Sequence, residues 1–171
     1  MLRLIGAVIV VACTGTFGVS CAMRLGLRAR VLSELIAALE VMRSEICDRL
    51  TPMPDLLETL AEQTNPPVSR MFAGCLEGMK SLGNRSFYFL WKTAVEQTPE
   101  LELTRQESQT LIELGHVLGR YDVEEQRRSL NGVIRRLEGY LKHAQEEKRV
   151  QTKAHAALGV AAGFFVVIIL I

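Results

Sequence analysis

Histidine, cysteine and carboxylate clusters are the usual carriers of chemistry, and in this 171-residue sequence they are dispersed. His116, His143 and His155 each lack an i,i+4 partner and an adjacent Cys or carboxylate pair that would complete a metal set. Cys13 and Cys21 fall inside an apolar run, while Cys47 and Cys75 lie far apart without C-x-x-C spacing, so packed, reduced thiols are expected in a cytosolic domain. The glycine-containing stretches GMKSLGN and GRYD lack the G-x-x-x-x-G-K-[ST] arrangement that aims backbone amides at a phosphate. GVSCAM supplies no G-x-S-x-G nucleophile elbow. These patterns predict no catalytic residue, no metal and no cofactor; the chain is expected not to be an enzyme.

What remains is charge. Arg127, Arg128, Arg135 and Arg136 spread over one side of a long amphipathic segment whose other side carries Val133, Ile134, Leu137 and Leu141. A solvated face is the plain interpretation. The alternative is a docking surface for an acidic partner or for anionic headgroups, and Lys148, Arg149 and Lys153, with Arg24, suit headgroups better than the arginines do. A net charge of +1 argues against nucleic acid, which requires a dense basic surface.

The elements that must position these residues are helices throughout. RVLSELIAALEVMRSEICDRL places Leu32, Leu35, Ile36, Leu39, Met42 and Ile46 on one stripe. A second helix starts at TPMPDLL, with Thr51 expected as N-cap and Pro52 in the first turn. Asn65, Pro66 and Pro67 precede a third, striped by Met71, Phe72, Cys75 and Met79 and closed at Gly83. Ser86 opens a fourth, with Phe87, Leu90, Trp91 and Val95 on one face, and Pro99 ends it. Thr104 and Glu107 form a capping box ahead of Leu111, Leu114 and Leu118, and Asp122 with Glu125 restarts the longest helix. With no convincing period-2 segment, the fold class is all-α: an antiparallel helical bundle of about six helices.

The first and last of these helices are expected to extend into transmembrane spans. Residues 154–171 form an apolar run of about eighteen residues, enough to cross the hydrocarbon core, and residues 4–23 form another between Arg3 and Arg24. The division expected is a span at 1–24, a helical domain at 25–153 and a span at 154–171. Arg24, Arg28 and Arg30 follow the first span and Lys142, Lys148, Arg149 and Lys153 precede the second, so the positive-inside bias puts the middle domain in the cytosol. The first segment exceeds a usual signal-peptide core and lacks an A-x-A-like site. A lipoprotein site at Cys21 is a minor alternative, with Gly18 where Leu is expected. Small residues in both spans, such as Gly6, Gly15, Gly159 and Gly163, favour close helix pairing, with each other or with other membrane proteins.

One stretch is more specific: LGHVLGRYDVEEQ, with Gly115, Leu118, Gly119, Asp122 and Gln126 in the pattern G-x-x-L-G-x-x-D-x-x-x-Q. It encodes a helix end, a tight turn at Gly119 and an acid-capped restart, with Gly115 permitting close helix contact. Together with EICDRLTPMPDLL (Glu45, Ile46, Thr51, Pro52), the N-terminal LRLIGAVIVV and the apolar tail, it resembles the stage III sporulation protein AB family of endospore-forming Firmicutes, over essentially the whole chain. The resemblance implies a mother-cell membrane protein of the assembly that forms a channel to the forespore, similar to the cytoplasmic domain of the inner-membrane platform proteins of type II secretion. The partners it implies are the secretion-type ATPase of the same assembly and other stage III sporulation membrane proteins, besides membrane lipid. Platform proteins usually carry two such domains and this chain has one, which leaves self-association open. Asp122, Gln126 and the arginine stripe are the candidate partner contacts. A membrane-anchored signalling or receptor module, with its helical domain outside the cytosol, is the competing reading and requires the opposite topology.

Overall fold

The computed structural model describes residues 26–81, 86–118 and 122–170, except the side chains of residue 81 and of 151–170. Within these residues there are six α-helices, one 3-10 turn and no strand. They are α1 (residues 26–47), α2 (Met53–Gln63), α3 (Val68–Ser81), α4 (Phe87–Glu96), the 3-10 turn Pro99–Leu101, α5 (Arg105–Leu114) and α6 (Val123–Leu170). The spans expected at 1–24 and 154–171 lie outside the described residues, apart from the helical backbone of α6. Among the described residues no helix is long and apolar enough to cross a membrane. Contacts divide the chain into a unit Arg28–Lys142 and a second unit, Met1–Leu27 with His143–Ile171.

The core of the first unit follows the periodicity. On α1, Val31, Leu32, Leu35, Ala38, Leu39, Met42 and Ile46 are buried, one stripe that a 3.6-residue repeat brings to a single side. Leu56, Leu57 and Leu60 of α2, Val68, Met71, Phe72 and Cys75 of α3, Leu90, Trp91 and Val95 of α4, Leu111 and Leu114 of α5, and Leu130, Val133, Ile134 and Leu137 of α6 extend it. Leu141, expected on that stripe, is half-buried, and Leu130 takes the interior position instead. Successive helices α2 to α5 pack on their neighbours. Arg43 bonds Asn131 while Cys47 reaches Val123, and Thr110 meets Tyr140 while Glu113 meets Arg136. As the number rises on α1 or α5 it falls on α6, so α6 runs antiparallel to both.

The caps are legible one by one. Ser86 accepts from the Phe89 amide, and Thr104 with Glu107 makes a complete capping box. At α2 the expectation fails: the N-cap position is Pro52 and there is no side-chain cap. The Thr51 hydroxyl donates instead to Glu45 Oε2 at 2.6 Å, and Glu45 Oε1 holds Arg49 at 2.8 Å. The Thr51 amide donates to the Glu45 carbonyl at 3.0 Å, and Leu50 adopts φ of 56°, closing α1 with a left-handed residue of the kind more often supplied by glycine. The expected closure of α3 at Gly83 lies outside the described residues.

In the second unit, residues 145–150 of α6 are exposed all round, as are Leu27 and Val150 among the large apolar side chains. A side chain at Gly26 would meet Lys148 Nζ at 3.6 Å.

Candidate functional site

The turn motif is built around a tryptophan. The last turn of α5 tightens to i,i+3 bonding: Gly115, His116 and Val117 donate to Ile112, Glu113 and Leu114 respectively. The Leu111 carbonyl thereby loses the amide an α-helix would have given it, and Trp91 Nε1 donates to it at 2.7 Å. Trp91 is fully buried, with the Phe72 and Phe87 rings each 6.1 Å away between centroids. Gly115 lies against the indole: a Cβ there would stand 2.7 Å from Trp91 Cδ1. The close approach expected at Gly115 is real, and its partner is α4. Gly115→Ala should cost about 1–3 kcal/mol, the range for overpacking a filled interior, read as a lower urea midpoint by circular dichroism.

Leu118 is buried beside this turn, and Gly119 lies outside the described residues. Asp122 restarts the chain, its Oδ1 accepting from the Glu125 amide at 3.0 Å; its side chain is exposed. Gln126 is 4% exposed, so it belongs to the interior and is withdrawn as a surface contact. A period of four residues from the buried Leu130 puts it on the apolar side of α6, which its polarity concealed.

The arginines do not form one surface. Arg127 lies across the end of α1, with Nη2 3.3 Å from Asp48 Oδ1 and 3.4 Å from the Cys47 carbonyl and Nε 3.6 Å from Glu124 Oε1. Arg136 pairs with Glu113 at 3.4 Å. Among the described residues Arg128 bonds only the Glu124 carbonyl, within its own helix, and Arg135 is exposed. Two of the four therefore tie α6 to α1 and α5, and two face outward. Lys148 and Arg149 are exposed, whereas Arg24 and the Lys153 side chain lie outside the described residues.

Arg28 gains a partner that the sequence did not point to. Counted from sequence among the charges that follow the first span, it makes a bidentate pair with Glu107, its Nη2 2.7 Å from Oε1 and its Nε 3.2 and 3.3 Å from the two oxygens. Glu107 is fully buried, and its Oε2 also accepts from the Thr104 amide at 2.7 Å. One carboxylate thus caps α5 and anchors the start of α1. The capping box was visible in the sequence; a partner 79 residues away left no periodic signal. The sequence also gave no sign of the Tyr88–His116 ring stack, 3.7 Å between centroids.

The remaining groups offer little for ligand chemistry. Among the described residues no group of three or more His, Cys, Asp or Glu is placed to hold a metal. A recess of about 270 Å³ lies beside Val95, Thr98, Leu101 and Ser108, and the Thr98 hydroxyl is already donated to the Ala94 carbonyl at 2.8 Å. Burial pushes the Cys75 thiol up to about 12 and raises Cys47 as well, against the pull of Arg127. Since the unfolded thiol ionises near its ordinary 9.0, the Cys75 contribution to stability is intact below pH 9 and is lost as pH rises from there to about 12. Cys75 should resist thiol reagents at neutral pH in the folded chain and react on unfolding, which peptide mapping of the labelled protein will show.

Compared with known proteins, residues 3–171 match the stage III sporulation protein AB family. Stage III sporulation protein AB of Bacillus subtilis (strain 168) is 28% identical over 171 residues, covering 99% of each chain. A solved structure titled stage III sporulation protein AB superposes with a TM-score of 0.67 at 23% identity, covering 72% of this chain and 98% of its own, a likeness of fold. The helical bundle, the turn built on Gly115 and a family match running from one apolar end to the other lead to one assignment: the chain belongs to the stage III sporulation protein AB family.

Proposed function

We propose that this sporulation protein is a non-enzymatic platform subunit of the mother cell–forespore channel complex, held in the mother-cell membrane by its two apolar ends. Its helical domain lies in the cytosol and links a secretion-type ATPase to the membrane components of the channel. The observation that carries this reading is the family match over residues 3–171, which takes in both apolar segments as well as the helical domain. The polar interior supports it: Glu107 and Trp91 are engaged in holding helices together, and the Thr98 hydroxyl is taken up by the Ala94 carbonyl. So do the exposed Leu27, Val150 and Arg149 of the second unit, side chains suited to a bilayer surface.

Topology is the first requirement. With Cys13, Cys21 and Cys47 replaced by serine and the exposed Glu62 of α2 by cysteine, a membrane-impermeant maleimide should label position 62 only after the cells are permeabilised. Labelling of intact cells would place the helical domain outside the cytosol and remove any coupling to a cytosolic motor.

A further inference from the structure

Two charged faces of the unit Arg28–Lys142 match each other in sign and spacing. On α6, Arg128, Gly132, Arg135, Gly139 and Lys142 follow one another at alternating steps of four and three, which keeps them on one side of the helix. The three cations and Gly139 are exposed and Gly132 is half-buried. Among the described residues, apart from the adjoining chain and the helix's own backbone, nothing lies within 4 Å of where a Cβ would sit at Gly132 or Gly139. Glycine is a poor helix former, and no neighbour among the described residues requires it at either position; a second helix laid along this side would.

On α2, Asp55, Glu58 and Glu62 are exposed along one stripe, opposite the buried Leu56, Leu57 and Leu60, and the helix contains no basic residue. Among the described residues none of the three carboxylates is ion-paired, nor is Arg128, Arg135 or Lys142. Read backwards, Glu62, Glu58 and Asp55 are spaced four then three, the spacing of Arg128, Gly132 and Arg135 read forwards.

From this match we infer that α6 of one copy docks on α2 of a second copy of this chain, antiparallel, with Glu62 and Asp55 facing Arg128 and Arg135 and Glu58 seated over Gly132. The same pattern recurs one heptad along, at Arg135, Gly139 and Lys142, so α2 has two equivalent registers. The contact joins two different patches of the same chain. It either closes reciprocally in a two-fold dimer or, as a heterologous contact, propagates into a ring or a row of subunits. The inference is independent of the ATPase link proposed above.

Cross-linking between distinguishable copies tests it. Full-length chains in membranes, with Cys13, Cys21 and Cys47 as serine and the buried Cys75 retained, carry either Glu58→Cys or one of Gly132→Cys and Gly139→Cys, each with its own tag. A helix seated on either glycine brings Cα atoms to within the roughly 4.4–6.8 Å that a disulfide requires. Mild oxidation should join the Glu58→Cys chain to at least one glycine-site chain, about tenfold faster than to a Ser33→Cys control on α1. Arg128→Glu with Arg135→Glu in the glycine-site chain should suppress the bond by about tenfold, and Asp55→Lys with Glu62→Lys in its partner should restore it. Because both charge-reversed faces are exposed, these variants leave the core intact. A yield no higher than the control, or a bond insensitive to charge reversal, overturns the inference. So does an absent bond accompanied by loss of binding to phosphatidylglycerol vesicles in the Arg128→Glu, Arg135→Glu chain, which would assign the face to lipid.

Discussion

Alanine in place of Trp91 is expected to make Cys75 accessible to thiol reagents about a thousandfold faster, the equivalent of about 4 kcal/mol lost from the folded unit. Three losses coincide. The indole is the largest fully buried side chain, and removing it leaves a void between Phe72, Phe87 and Gly115. The Leu111 carbonyl loses its donor at the 3-10 end of α5, where no backbone amide replaces it. The Gly115 approach also loses its counterpart. Trp91→Phe, which keeps most of the volume but removes the N–H together with part of the bicyclic ring, should cost about half as much. A labelling rate unchanged by Trp91→Ala would show that the α4–α5 junction does not limit opening of the unit around Cys75.

The second large effect is electrostatic. Arg28→Ala should destabilise the unit by about 3–5 kcal/mol, because it leaves the Glu107 carboxylate buried without its cation. The pair itself has modest net worth, since desolvating both ions opposes their attraction, so removing both charges together is far milder. In the double variant Arg28→Met, Glu107→Gln, the glutamine still accepts from the Thr104 amide, and the capping box survives. It should recover most of the lost stability in the same labelling assay. If the double variant were as unstable as Arg28→Ala, packing of the arginine stem and not the stranded charge would be the cause.

These two centres also mark where the sequence was legible and where it was not. Helical stripes on α1, α3 and α6, the Ser86 cap and the Thr104–Glu107 box are local patterns, set by neighbours three or four residues apart, and they appear as expected except that Ile36, Met79 and Leu141 are only half-buried. Gly115 carried a correct local meaning, but its contact, Trp91, lies on another helix. Thr51 shows a local expectation overridden: the Glu45 carboxylate sits within reach of its hydroxyl and captures it, so α2 starts without a side-chain cap. Arg28, Arg127 and Arg136 look alike in sequence, surface cations on helices, yet each closes a long-range bond whose partner no periodicity announces. The same pairings thin the arginine stripe to Arg128 and Arg135 and remove Gln126 from the surface, so the outward face of α6 emerges only after the internal bonds are subtracted.

The link to a motor is tested most directly by binding. The 171-residue chain, reconstituted in nanodiscs, is titrated with the purified secretion-type ATPase proposed above as its partner, and association is followed by interferometry alongside ATP turnover. A platform role requires saturable association through the cytosolic face, with all ATP turnover belonging to the ATPase. Absence of binding at high micromolar ATPase, with the reconstituted chain folded as judged by protection of Cys75, would contradict it.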